Sequence, residues 1–195
     1  QMLDAGGVDV VHVTTPHGEH AQPTIDCLAA GVHVIQEKPL AHTLAEGQRI
    51  VDAAAAASAK VGVCFQNRYN VSSQELRRIL DSGELGEIRG AYASVVWTRT
   101  PDYYRNRPWR GTWEGSGGGL MINQAIHTLD LAQWFMGGVE SVKGLASTNK
   151  YGDVIEVEDT AEFLLRHPGG TETSFYGTLT NPTHRPVEFE VYGEN

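Results

Sequence analysis

Apolar residues recur along this chain in two rhythms, and the rhythm changes near residue 85. In the first part, short β-branched runs alternate with longer helix-forming stretches. Val8-Asp9-Val10-Val11-His12-Val13, Val32-His33-Val34-Ile35 and Val61-Gly62-Val63-Cys64-Phe65 are apolar nearly throughout, the composition of strands covered on both faces. Between them the pattern predicts a helix from about His17 to Ala30, with Gly31 as its stop and Pro23 as an obstacle. A second helix runs to about Ala57 behind the capping-box pattern Thr43-x-x-Glu46. Strands alternating with helices imply βαβ units and a parallel sheet. A further helix is predicted from a Ser72-x-x-Glu75 cap to Gly83.

Beyond that helix the period becomes two. Residues 88–97, 158–166, 171–180 and 187–192 alternate, most cleanly in Val187-Glu188-Phe189-Glu190-Val191-Tyr192, and His167-Pro168-Gly169-Gly170 reads as a hairpin turn. This describes a mostly antiparallel sheet with one covered face, and a helix near 120–136 supplies the cover. The predicted fold class is therefore α/β plus α+β: a parallel sheet over 1–68, then an open antiparallel sheet covered by helices over 69–195.

Composition narrows the partners. Fifteen Lys and Arg against 24 Asp and Glu give a formal charge of −9, which argues against nucleic acid or an anionic membrane as the main partner. Cys27 and Cys64 lie in apolar segments rather than in a C-x-x-C or His-rich cluster, so neither a disulfide framework nor a zinc site is indicated. No apolar stretch approaches the roughly 18 residues of a membrane span. The cytosol is the default compartment.

Candidate chemistry gathers at the strand ends. In an open parallel sheet, ligands bind outside the carboxyl ends of the strands. Here those ends read Thr14-Thr15-Pro16-His17, Glu37-Lys38-Pro39 and Gln66-Asn67-Arg68, so polar groups from three segments converge on one edge. Lys38 at a partly buried mouth would have a lowered pKa and could exchange protons near neutrality; a solvated loop lysine is the plain alternative. In Gly117-Gly118-Gly119-Leu120-Met121-Ile122-Asn123-Gln124-Ala125-Ile126-His127-Thr128-Leu129-Asp130, an α-helix from Met121 puts Asn123, His127 and Asp130 on one face. The glycines then allow close approach, and the helix start offers N–H groups to an oxygen-rich ligand. His127 is a candidate acid or base, or a packing residue that hydrogen-bonds within the domain. Gly115-Ser116-Gly117-Gly118-Gly119 lacks G-x-G-x-x-G spacing and is rejected as a dinucleotide fingerprint. Residues 97–113 hold three of the four tryptophans with Arg99, Arg105, Arg107 and Arg110, a composition that suits a sugar, or that pins a connection between the halves.

Taken together, VHVTTPHGEH, GVHVIQEKPLA, GVCFQNRYN, SGELGEIRGA, PWRGTWEGSGGGLMINQAIHTLDLAQWFMG and VEDTAEFLLR resemble the family of glucose-fructose oxidoreductase, inositol 2-dehydrogenase and MocA-like proteins, in family order. The resemblance implies a Rossmann domain binding NAD or NADP and a second domain carrying a sugar or polyol site. It implies Lys38 and His127 as catalytic residues, with Asn123 where the family commonly has aspartate. Thr14, Thr15, Pro16, His17, His20, Glu37, Lys38, Gln66 and Arg68 would lie along the cofactor. Tyr104, Trp109, Arg110, Asn123 and His127 would join Lys38 around a carbohydrate. The family's glycine-rich phosphate loop would precede Gln1, and Asn195 falls within its Tyr-Gly strand-turn region, so the chain reads as a fragment whose exposed strand 8–13 invites pairing with another chain. A homo-oligomer through the antiparallel sheet face is expected. NAD-dependent glycoside cleavage, or a non-catalytic sugar-binding module, are the alternative functions.

Overall fold

The structure is a computed structural model that describes residues 2–195. Strands β1 (Val10–Val13), β2 (His33–Gln36) and β3 (Val61–Val63) form a parallel sheet in that order. Helices α1 (Ala21–Ala29) and α2 (Leu44–Ala56) complete the βαβ units, and Val13, Cys27, Leu28, Val32, Val34 and Ala59 are buried together in a core cluster. The helix expected from His17 starts instead as a 3-10 turn, His17–Glu19, and becomes α-helical at Ala21. Pro23 is tolerated because it occupies the first turn of α1, where no backbone N–H needs an intrahelical acceptor. Gly31 stops the helix with φ of +76°.

Two caps differ in their execution. Thr43 Oγ1 accepts from the Glu46 N–H at 3.2 Å, but the Glu46 carboxylate turns to Arg49 at 2.8 Å, so the capping box is half formed. The helix expected behind Ser72, α3 (Val71–Ser82), is preceded by Asn70 as its cap. Asn70 takes the extended backbone, and its carbonyl accepts the first helical N–H, from Gln74 at 2.9 Å, so Ser72 falls inside the first turn.

The second half contains β4 (Gly90–Val96), α4 (Pro101–Arg105), α5 (Trp113–Ser116), a π turn at Met121–Ala125 that runs into α6 (Ile126–Met136), then β5 (Ser141–Ser147), β6 (Thr160–Arg166), β7 (Glu172–Thr178) and β8 (Glu188–Tyr192). Its sheet is ordered β5-β6-β7-β4-β8. Three pairings are antiparallel, and β4 with β7 is parallel, which agrees with a mostly antiparallel sheet. The helical crossover after β4 returns the chain at β5 in the same direction, and two reversals bring β7 back beside β4. Strand β5 was not foreseen. Every one of its residues is exposed, so no buried face imposes a period of two on its sequence.

The larger core lies between this sheet and the helical segment, with Ala93, Val95, Leu120, Ala125, Val157, Phe175 and Leu179 at its centre. The loop before β6 is fixed electrostatically. The fully buried Asp159 accepts the N–H groups of Asn149 and Lys150 at 2.9 Å and of Tyr151 at 3.0 Å. Asp159→Ala leaves these donors without an acceptor and is expected to cost about 3 kcal/mol, read from urea unfolding.

Candidate active site

Lys38 follows β2 in a loop that a buried polar cluster holds from behind. Gln36, fully buried at the end of β2, donates through Nε2 to the carbonyls of Leu40 at 2.6 Å and Pro39 at 3.2 Å, and accepts from Thr24 Oγ1 at 2.7 Å. The buried His20 ring lies 2.8 Å from the Pro39 carbonyl and 2.9 Å from that of Thr15. The Lys38-Pro39 peptide is cis. Gln36 was overlooked in the sequence, although an amide at the end of an apolar run is itself a signal, because a buried amide must be satisfied by something close.

From this loop the Lys38 amine reaches across to the second half and donates to the Asn123 carbonyl at 2.7 Å. The acceptor is the backbone carbonyl of Asn123. Asn123 lies within the π turn, whose extra residue per turn displaces carbonyls from the regular ladder; an unbroken α-helix from Met121 had been expected. Burial holds the Lys38 amine below the ordinary lysine pKa; Glu37 opposes this and Arg110 reinforces it.

His127 stands on α6 with its ring edge toward Phe65, the centroids 6.2 Å apart. Its Nδ1 is buried and has no partner within the protein. Burial, and then the charge of Lys38, depress its pKa, while Asp130 and Glu37 pull the other way. The structure thus brings Lys38, the Asn123 backbone and His127 to one place. Asp130 faces elsewhere: its carboxylate takes Arg68 Nε at 2.6 Å and Nη2 at 2.5 Å, a bidentate pair that ties the end of the parallel sheet to α6. Arg68, expected along a cofactor, therefore spends two of its nitrogens on this tie.

His17 also joins the halves. Its Nδ1 lies 3.1 Å from the Ser116 carbonyl and 3.3 Å from the Ser116 hydroxyl, and Trp109 packs edge-on with centroids 4.8 Å apart. Burial dominates its titration and lowers the pKa to about 4. At the strand ends Thr14 and Gln66 are exposed, and Thr15 and Pro16 partly so, while Thr15 Oγ1 donates to the Glu19 carbonyl at 3.1 Å.

The aromatic and arginine segment folds into one wall. The Arg110 guanidinium lies over Tyr103 at 4.5 Å and Trp109 at 5.5 Å; that of Arg99 lies over Tyr103 at 4.8 Å and Trp97 at 5.3 Å. Arg110 Nε is buried without a partner. Tyr104, read from the sequence as substrate-binding, is instead part of the core beside Tyr151, and burial raises its phenol pKa. Tyr103 takes the place in the wall, because the turn of α4 points adjacent residues in different directions.

The glycine-rich start of the π turn does not await a ligand. Glu158 caps it, its carboxylate accepting the N–H groups of Gly119 and Met121 at 2.9 Å each. A Cβ on Gly119 would come within 1.9 Å of the Glu158 carbonyl, and one on Gly117 within 2.1 Å of the His42 carbonyl. These glycines let backbones touch, which corrects the anion-site reading.

A parallel sheet with chemistry at its carboxyl edge, joined to a mixed sheet that closes over that edge, is the architecture of a two-domain nucleotide-binding protein. The chain belongs to the GFO/IDH/MocA family: residues 73–195 match its C-terminal domain, and residues 1–65 match the description "Oxidoreductase family, NAD-binding Rossmann fold". A solved structure of the WlbA dehydrogenase from Bordetella pertussis, in complex with NADH and UDP-GlcNAcA, superposes with a TM-score of 0.94 at 36% identity over 99% of this chain and 55% of that one. Levoglucosan dehydrogenase of Pseudarthrobacter phenanthrenivorans is 30% identical over 98% of this chain and 55% of its own length. Trans-1,2-dihydrobenzene-1,2-diol dehydrogenase of Sus scrofa is 29% identical over 92% and 51%. The chain spans about half the length of the curated relatives it matches.

A histidine that titrates near pH 4 when folded and near 6.5 when unfolded binds its proton more tightly in the unfolded chain. Stability should therefore fall as the pH drops from 6.5 to 4, by on the order of 3 kcal/mol from His17 alone. His17→Gln should flatten that slope in urea midpoints measured across the window.

Proposed function

We propose that the whole protein is a nicotinamide-dependent oxidoreductase that interconverts a hydroxyl and a carbonyl on a sugar or cyclic polyol. The observation that carries this reading is the meeting, at the carboxyl edge of the parallel sheet, of a half-buried amine, Lys38, held on the Asn123 carbonyl, and the half-buried imidazole of His127, which feels the charge of that amine. Both groups are held below their ordinary pKa values by burial, which suits proton transfer near neutrality.

The cofactor, NAD or NADP, supplies the hydride acceptor when bound. Thr14, Thr15, Pro16, Glu37, Lys38 and Gln66 supply the edge that would hold its reactive end, while His17, His20 and Arg68 set the loops in place. The hydroxyl O–H bond breaks toward the lone pair of the Lys38 amine in its deprotonated form, and the Asn123 carbonyl steers that amine. The His127 ring hydrogen-bonds the same substrate oxygen or a neighbouring hydroxyl. Arg110, its guanidinium held over Trp109 and Tyr103, fits a carboxylate beside a sugar ring. A uronic acid sugar, the kind of ligand present with the Bordetella relative, is the substrate class this favours.

Two further parts of the reading concern setting. Val142, Leu145, Leu164 and Tyr176 are exposed on the mixed sheet, and they support a homo-oligomer through that sheet. No helix among the described residues is long and apolar enough to cross a membrane, and both cysteines are free, which fits the cytoplasm.

In the whole protein, Lys38→Ala should lower kcat/KM by about 10²- to 10⁴-fold and His127→Ala by on the order of 10²-fold, followed by absorbance of the reduced cofactor with sugar and polyol substrates. Near-normal turnover in both variants would overturn the assignment.

A further inference from the structure

The face of the parallel sheet that helices α1 and α2 leave uncovered carries two side chains that the site above does not use, His12 and Cys64, beside Glu37 of the cofactor edge. The strand register places them there. His12 pairs with Ile35, and Ile35 with Gly62. Side chains alternate along a strand, so the side chains two residues on, Glu37 and Cys64, emerge on the same face as His12. Val10 and Ile35 on that face are about half exposed, while the intervening Val13 and Val34 are buried in the core on the other side.

Three different metal-binding side chains thus converge. His12 Nε2 lies 3.4 Å from Glu37 Oε1 and 4.0 Å from Cys64 Sγ, and the three donor atoms lie within 4.8 Å of one another. A tetrahedral ion with bonds of about 2.0 to 2.3 Å needs donors about 3.3 to 3.8 Å apart. Small rotations of partly exposed side chains close the difference. The His12 and Glu37 side chains are 50% and 39% exposed, so an ion can enter and keep water as its fourth ligand.

We propose that His12, Glu37 and Cys64 form a binding site for a thiophilic divalent cation of the zinc class, with its fourth position open to solvent. Thiolate and imidazole select such an ion over magnesium or calcium. As the sulfur–metal bond forms, the Cys64 thiol releases its proton to solvent, and thiolate with carboxylate balances the two positive charges of the ion. The expectation that no zinc site exists rested on the lack of clustered cysteines and histidines in the sequence. The cluster is created by strand pairing, His12 coming from β1 and Glu37 and Cys64 from just beyond the ends of β2 and β3.

Cobalt(II), titrated under reducing conditions into this chain, tests the assignment without any turnover assay. The expected result is a sulfur-to-cobalt charge-transfer band in the near ultraviolet that saturates at one equivalent and is displaced by zinc. Cys64→Ser should abolish that band, Cys27→Ser should retain it, and His12→Ala should weaken binding on the order of tenfold or more, with circular dichroism verifying that each variant is folded. Absence of the band, its survival in Cys64→Ser, or unchanged affinity in His12→Ala would overturn the proposal. None of these outcomes bears on whether Lys38 and His127 move protons.

Discussion

The structure depends on one contact across its two halves, the hydrogen bond from the Lys38 amine to the Asn123 carbonyl. A lysine in water is a solvated cation of high pKa, and removal from solvent, reinforced here by the nearby Arg110, makes its proton easier to give up. A backbone carbonyl orients the amine without supplying the full negative charge that would hold it protonated. Both sides of the contact are rigid for local reasons. Gln36, Thr24 and His20 lock the loop behind Lys38, and the π turn presents the carbonyl in front of it.

The other links between the halves serve the same geometry. Arg68 on Asp130 fixes the end of the parallel sheet against α6, and His17 on Ser116 fixes the first connection against α5. Glu158 caps the π turn from within, so the start of the helical segment is tied to the strand that follows it rather than to anything bound. The Arg68 and His17 contacts are short and polar, and each loses its partner if the halves shift. Glycine is needed at 117 and 119, where a single Cβ would push backbones apart.

Charge is organised locally against the overall balance. The chain is acidic, yet Lys38, Arg110 and Arg99 stand at or beside the mouth, and the pKa of Lys38 registers Arg110 as a like charge. Aromatic faces of Trp97, Tyr103 and Trp109 carry the two guanidinium groups in place of carboxylates. That arrangement holds the guanidinium groups against aromatic faces without neutralising them.

The parallel sheet with its helices was legible because burial on both faces makes its strands apolar, and β6, β7 and β8 because one covered face makes them alternate. Lys38 and His127 stood out as ionisable residues interrupting or bordering apolar runs. The sequence could not show β5, whose exposure removes any pattern, nor the parallel pairing of β4 with β7, which follows from the route of the chain. It pointed to Tyr104 where the wall holds Tyr103, and it did not show that the Asn123 carbonyl meets Lys38, because the π turn and the short α4 set directions that spacing alone does not encode. Local periodicity reports which side of an element is buried. Which groups from distant segments meet, as Lys38 meets Asn123 or His12 meets Cys64, is decided only when strand register and domain packing bring them into one place.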